Sequence, residues 1–450
     1  MPPPAGRGSW RDEAARQGTA RGRPCVKLPR NSQRGLDLLN FFVGNLQASF
    51  GSFIAVYLTG AHWTQGQIGY VLSIGSVTAM VSQVPAGMLV DRLRDKHRVA
   101  ALSILAVIFS CLLLAIFPQQ MPVALAEVLH GLASCTLTPA IGAITLAVVA
   151  AQVLRLPDDG KGQLGERFGR NASFASIGNA IGSGLMGAVG YWVSPQATFF
   201  LGAALAMPGL MALMMIEPVE APASINTAAV AEGERPPRTK GAMWELLRDR
   251  RLFAFAICVA FFHLSAAGIL SLAAGQVTKD AGNIAEIVIA ACILLPQLVG
   301  AALSPVIGRL AETIGRRPVM LVTFAALPLR AALLATTSNP YLIIAIQLLD
   351  GISSSSFGVM MPLVAADLTR ISGRFNMCMG ILGLAMGAGA SFSTSLAGTV
   401  ADRSASLAFL ILAAAGVICV LLVALLMGDT ARPDAVPAVA AGKDTAEGTP

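Results

Sequence analysis

Three ionisable side chains stand deep inside apolar runs of this 450-residue chain: Glu127 and His130 in one run, Asp350 in another. An ionisable group at that depth costs a few kcal/mol, so it normally faces a cavity or a partner and is a functional candidate by default. The two runs correspond. Glu127-Val128-Leu129-His130-Gly131 and Gln347-Leu348-Leu349-Asp350-Gly351 lie 220 residues apart, which puts His130 and Asp350 at equivalent positions. At 1.5 Å per residue both lie roughly 12–15 Å in from the outer helix ends. A carboxylate there needs a proton, a cation or a partner. Asp350, His130 and neighbouring Glu127 are therefore assigned as a proton-coupling centre. Asn45, Gln47, Asn179, His263, Gln297 and Gln347 sit at similar depths and are the candidate lining of a substrate cavity. The same residue types also serve as plain packing: amides glue membrane helices together, and a buried histidine can be neutral and hydrogen-bonded. Arg330, about two turns from an outer helix end, is read as snorkelling outward. Asp37 is read as a helix-start charge.

The elements that carry these groups follow from composition. Hydrophobic residues make up 55% of the chain, charged residues only 13%, and the mean hydropathy is +0.67. The apolar residues come in runs of about 20, enough to cross a hydrocarbon core of roughly 30 Å. With no water there to satisfy the backbone, and no alternating barrel-type strands, the runs must be helices. The class is an all-α polytopic membrane protein. Twelve spans are read at approximately 36–59, 66–90, 98–117, 122–147, 168–192, 195–216, 251–275, 284–307, 318–337, 340–366, 374–398 and 405–427. They divide the chain into a disordered basic tail (1–35), a six-helix half (36–216), a central loop (217–250), a second six-helix half (251–427) and a disordered tail (428–450). The segment Met243–Arg251 is predicted to be a short amphipathic helix on the membrane surface. The seven cysteines are scattered, without CxxC or metal spacing, and are expected to form no disulfide or metal site.

The net charge of +7 is not a nucleic-acid footprint, because its distribution has another cause. Of 32 lysines and arginines, 29 fall on the side that holds both termini, leaving Lys279 and Arg403 opposite and Arg330 within a span. The positive-inside rule makes that basic face cytoplasmic.

The chain also repeats itself. Gly87-Met88-Leu89-Val90-Asp91-Arg92-Leu93-Arg94-Asp95-Lys96 ends span 2, and Gly308-Arg309-Leu310-Ala311-Glu312-Thr313-Ile314-Gly315-Arg316-Arg317 ends span 8, shifted by 221. Spans 5 and 11 share Asn171/Asn376, Gly178/Gly383, Gly182/Gly387 and Gly184/Gly389, shifted by 205, which places an extra loop around Gln152–Gly165. Both decapeptides resemble the G-x-L-A-D-R-x-G-R-R/K motif of the major facilitator superfamily. The first copy keeps Gly87, Leu89, Asp91, Arg92 and Lys96; the second keeps Gly308, Leu310, Ala311, Gly315, Arg316 and Arg317, with Glu312 for the acid. Two copies at matching positions of a six-plus-six layout make the resemblance specific over roughly residues 36–427.

The resemblance implies a latch that holds an outward-open state. Glycine lets helix ends approach, and an acid ending span 2 can meet the positive N-terminus of span 11 near Gly373–Arg374. By pseudo-symmetry Glu312 is expected to meet the start of span 5 near Arg167–Arg170. The resemblance further implies that spans 1, 2, 4, 5, 7, 8, 10 and 11 line a cavity. Two motifs of drug–proton antiporters are degraded here: Glu127 and His130 replace Arg and Gln of R-x-x-Q-G, and Ser183 replaces the proline after Gly182.

The expected activity is secondary transport of a small molecule across the bacterial inner membrane by alternating access, coupled to protons, in a monomer without cofactor or nucleic acid. Export of a neutral, cationic or amphiphilic compound is favoured over nutrient uptake by symport, since Arg330 is the only cation at depth. A membrane enzyme would need a nucleophile with a base or an HExxH cluster, and a sensor a soluble output domain; neither is evident.

Overall fold

The computed structural model describes residues 30–50, 52–153, 163–218, 248–280, 285–370 and 372–428, and among these the regular elements are all helical. Span 1 consists of Arg30–Phe50 and Ser52–Gly60; spans 2 to 6 are Gln65–Arg92, Lys96–Ile116, Gln120–Val153, Gln163–Trp192 and Ala197–Met214. Span 7 is Arg250–Ala266 continued by Ile269–Asp280, span 8 is Ala285–Thr313, and span 9 is Arg316–Phe324 continued by Ala326–Leu334. Spans 10 to 12 are Pro340–Leu368, Phe375–Ala401 and Ala405–Leu426. Ten of these are long and apolar enough to cross a membrane on their own. Spans 1 and 5 are the other two: span 1 is described on either side of residue 51, and span 5 opens with Glu166, Arg167 and Arg170. The twelve-helix reading holds.

Local chemistry sets the ends. Thr64 and Gln67 form a reciprocal capping box before span 2, and Asp95, Asp249, Asn339 and Ser404 cap spans 3, 7, 10 and 12 through their side-chain oxygens. The start of span 1 differs from expectation. Arg30–Gly35, assigned to a disordered tail, is helical, because Ser32 accepts a hydrogen bond from the Glu217 N–H at 3.2 Å and Gly35 packs on Ile216. Within the predicted surface helix, Asp249 caps a helix that is already span 7; residues 243–247, like most of the central loop and both tails, lie outside the described residues. The six described cysteines are buried and free.

The first half has an apolar interior of its own, and that of the second takes in Ala143, Leu146 and Phe168 from the first. Leu39, Leu58, Ile104, Leu114, Ile144 and Phe199 centre the first. In the second, one cluster gathers around Phe255, Phe324 and Met360 and another around Ile269, Leu334 and Phe409. Lipid is as apolar as these side chains, so close packing over small residues decides helix pairing. Gly44 and Gly178 face the backbone of the partner helix where spans 1 and 5 cross, as Gly389 does for spans 7 and 11. Between the halves, spans 2 and 11 make one long contact and spans 5 and 8 the other.

Candidate functional site

At the basic face the two halves are joined by acids on helix ends. Asp91 Oδ1 accepts from the Asn376 backbone N–H (3.1 Å) and side-chain amide (2.7 Å), and Oδ2 from the Met377 N–H (2.8 Å). These are N–H groups of the first turn of span 11, which have no partner within the helix and carry its positive end. Gly87 makes room: a Cβ there would collide with the Asn376 carbonyl. The contact falls two to four residues beyond the expected Gly373–Arg374, because span 11 begins only at Phe375.

The second copy is built differently. Glu312 Oε1 accepts from the Gly165 N–H at 2.8 Å, and Oε2 pairs with Arg316 at 3.0 Å. Arg316 also reaches Asp367 at 3.0 Å and the Ala311 carbonyl at 2.9 Å, which closes the end of span 8. Gly315 turns the chain with φ 112°, a conformation other residues rarely adopt. Gly308 lies against the Gly165 carbonyl, and Arg309 pairs with Glu166 at 2.8 Å on the surface. Arg92 is exposed.

Glu312 thus meets the start of span 5 as expected, at Gly165, two residues before Arg167, while the side chains of Arg167 and Arg170 turn elsewhere. Both bind Asp37, buried at 4% exposure, and Arg167 continues through Asn171 to Thr145, tying spans 1, 5 and 4 together. Asp37 is thus a buried ion-pair centre and not only a helix-start charge. The contacts also revise the repeat register. Gly87 and Gly308 face Asn376 and Gly165, while the carbonyls of Gln83 and Ser304 face Gly380 and Gly169. Spans 5 and 11 are therefore equivalent at a displacement of 211 residues (165 to 376, 169 to 380), not 205.

At depth, the three groups assigned to one centre divide between the halves, Glu127 and His130 on span 4 and Asp350 on span 10. Glu127, 6% exposed, lies on the span 2 side of span 4 with its carboxylate against Gly75, where a Cβ would collide with Oε2. Its Oε1 is buried without a hydrogen-bond partner among the described residues. His130, half-buried one turn along, has Nε2 3.4 Å from Ser134 Oγ. Asp350 is turned toward span 9, where Arg330 binds its Oδ1 and donates from Nε to Gln347 Oε1 at 2.7 Å. Arg330 is 2% exposed and does not snorkel. An arginine so deep must find an anion, and Asp350 is the acid at matching depth; that requirement could have found the pair in the sequence.

The amides divide. Asn45 is buried, donates to the Phe41 carbonyl at 3.0 Å and packs on Gly182, so it belongs to the span 1–span 5 crossing. Gln347 accepts from Arg330 through Oε1, while its Nε2 is buried without a partner among the described residues. Asn179 and Gln297 are half-buried, and the Gln47 side chain lies outside the described residues. His263 Nδ1 lies 3.1 Å from the Val259 carbonyl, and its ring meets the Phe357 ring edge-on at 4.6 Å. The arrangement can close one face around helix-end acids and hold an unpaired carboxyl and a paired one in different halves.

Comparison with known proteins gives a consistent answer. The sequence profile of the Major Facilitator Superfamily matches residues 36–295 and 256–447. An uncharacterised MFS-type transporter of Mycobacterium tuberculosis, from either of two strains, is 31% identical over 376 residues, covering 83% of this chain and 88% of the relative. The class D tetracycline resistance protein of Salmonella ordonez is 33% identical over 110 residues, 24% of this chain and 27% of that protein. Among solved structures, FucP in the outward conformation superposes with a TM-score of 0.65 at 15% identity, covering 88% of this chain and 98% of that one.

Proposed function

The chain belongs to the major facilitator superfamily, and we propose that it is a proton-coupled secondary transporter that exports a small solute by alternating access. The observation that carries the coupling is Glu127. Ionised, its carboxyl would stand buried with no cation and an unpartnered Oε1, at a cost of several kcal/mol. Binding a proton removes that cost, and a change of hydration between states can return it. His130, one turn along, is the next group a proton could reach. Asp350 already has a cation in Arg330, so the reading moves the coupling role from Asp350 to the first half.

Spans 2 and 11, and 5 and 8, meet at the basic face, which supports a state closed on that side. The basic residues support a cytoplasmic assignment for it, with both termini inside and the bilayer the inner membrane. The repeated helix crossings of the two six-helix sets support halves 36–216 and 251–427 moving as bodies within a monomer. Export is favoured by the partial likeness to a tetracycline resistance protein.

The test is transport of a chemically broad panel in everted and right-side-out vesicles, with and without an imposed proton gradient. Accumulation in everted vesicles that collapses with the gradient is the expected result. Accumulation indifferent to the gradient would overturn the coupling, and accumulation only in right-side-out vesicles the direction.

A further inference from the structure

We propose that Gly69 with Gly398, and Gly187 with Ala290, are the contacts that shut the outer face in the opposite state of the cycle. This deepens the proposed function and rests on its alternating-access part alone. The four positions follow from the basic face. There Gly87 of span 2, Gly380 of span 11, Gly169 of span 5 and Gly308 of span 8 carry the two crossings. A Cβ on any of them would lie 2.1–2.4 Å from a backbone carbonyl oxygen of the other half. Moving 18 residues outward along each helix leads to Gly69, Gly398, Gly187 and Ala290. That step is about five full turns of 3.6 residues, so each outer position shares its helix face with the inner one, roughly 27 Å away.

The outer four are unpacked in this structure. All are exposed, and a Cβ on Gly69, Gly187 or Gly398 meets no described atom within 4 Å. The helices part gradually on the way out. Between spans 2 and 11 the closest approach of such a Cβ to the other half lengthens from 2.2 Å at Gly87 to 2.4 Å at Gly380 and 3.9 Å at Gly387, which faces Met80. Between spans 5 and 8 it lengthens from 2.1 Å at Gly308 to 3.3 Å at Gly300, which faces Ser176. The partners also stay in step. From Met80 and Gly387, eleven residues outward on each helix reach Gly69 and Gly398. From Ser176 and Gly300, eleven residues on span 5 reach Gly187 and ten on span 8 reach Ala290.

A cavity marks the vacant seat beside Gly187. It measures about 280 Å³ and is lined by Phe53, Gly187, Gly190, Tyr191, Pro195 and Thr198, all of the first half. The Thr198 hydroxyl is spent on the Pro195 carbonyl at 2.6 Å, so the seat suits an apolar occupant. The stretch of span 8 that comes level with it, Val288-Ile289-Ala290-Ala291, is apolar, and Ile289 stands beside the small Ala290. Small residues let helices close on one another, and rocking one half against the other exchanges the inner crossings for outer ones. Glycine is also a poor helix former, so an exposed one inside a span gains nothing in the present state. A partner in the other state supplies its reason.

Disulfide trapping in the full chain in lipid nanodiscs tests this, with copper phenanthroline as oxidant and neither solute nor gradient present. The pairs are Gly69→Cys with Gly398→Cys, and Gly187→Cys with Ala290→Cys; the six described native cysteines are buried and add little background. Trapping accumulates even a minor state, so both pairs should couple. Each should do so at least about tenfold faster than Leu185→Cys with Ala290→Cys, because Leu185 is exposed on the opposite side of span 5. A second reading needs no coupling. In Gly87→Ala, which opens the basic face, an impermeant maleimide should label a single cysteine at the exposed Thr394 several-fold more slowly. Adding Gly398→Trp should restore the rate by propping the outer face open, whereas Leu396→Trp, on the opposite side of span 11, should not. Failure of either pair to couple, coupling no faster than the Leu185 control, or no restoration by Gly398→Trp would overturn the contacts. Transport by a chain whose pairs do not couple would reject these contacts and leave the transporter reading standing.

Discussion

Asp91 and Asn376 lie 285 positions apart and share two hydrogen bonds, Oδ1 taking both the backbone and side-chain N–H of Asn376, while Oδ2 takes the N–H of its neighbour Met377. A carboxylate on the first turn of a helix is favoured by about 0.3–2 kcal/mol, the upper end applying to partly buried sites such as this. Asp91→Asn keeps the shape and loses that charge. The closed basic face should lose population by up to about thirtyfold, and transport should slow with insertion intact. Maleimide labelling of a single cysteine introduced at Ser304, buried in the span 5–span 8 contact, reads this as faster modification in the variant. Unchanged labelling and transport would return Asp91 to a topology role.

The glycines at the two crossings predict a sharper effect. A Cβ on Gly87 or Gly308 would collide with a backbone carbonyl of the opposite half, which cannot rotate away. Gly87→Ala and Gly308→Ala should therefore push the basic ends apart. A Cβ on Gly184 meets nothing within 4 Å, so Gly184→Ala should leave the spacing unchanged. Distance distributions between spin labels on the exposed residues Arg92 and Arg370 should lengthen in the first two variants only.

Much of this framework was legible in the residues. Two acids at the ends of spans 2 and 8, each after a glycine, marked the places where Asp91 and Glu312 reach across. The register of spans 5 and 11 was not. Glycines recur along one helix face, so a ladder such as Gly178 and Gly182 can be slid against another and still match, and only the contacts choose 211. Depth was readable too, but not direction. Glu127 and Asp350 stand at comparable heights, yet one turns to Gly75 of span 2 and the other to Arg330 of span 9. Helix rotation sets that difference, and an apolar run hardly encodes rotation when its outside is apolar as well.

The Arg330–Asp350 pair yields a stability prediction. Arg330 is buried and Asp350 half-buried, so removing one partner strands the other charge, typically at 3–5 kcal/mol, while removing both costs far less. Arg330→Gln alone should lower the yield of monodisperse protein and its thermal midpoint more than Arg330→Gln with Asp350→Asn. The double-mutant cycle in thermal unfolding checks it. Additive losses would mean that the two side chains do not support each other.

The helical start of span 1 changes what can be trimmed. Deleting residues 2–29 should leave the transport rate per inserted molecule nearly unchanged, while expression falls with the loss of basic charge before span 1. Deleting through Gly35 should also impair the protein, because it removes Ser32 and the Gly35–Ile216 contact that join spans 1 and 6. Quantified insertion alongside transport separates the two. Equal behaviour of both deletions would show that these contacts carry no weight.

Glu127 provides the most direct test of coupling. An amide in its place has nearly the same volume and no exchangeable charge. Glu127→Gln should therefore still bind and exchange solute, yet fail to concentrate it against a gradient. Gly75 tests the seat of that carboxyl independently. Gly75→Ala would set a Cβ against Oε2 and within 3.2 Å of the carboxyl carbon, so the acid must rotate out of its place between spans 2 and 4. Among the described residues, Glu127 has no ion-pair partner. Infrared spectroscopy of the purified protein reads the result without a substrate, through the carbonyl-stretch band of a protonated carboxylic acid. The band assigned to Glu127 should vanish in Glu127→Gln, move in Gly75→Ala and persist in Asp350→Asn. Gradient-driven accumulation by Glu127→Gln, or a band that only Asp350→Asn removes, would return the proton to the second half.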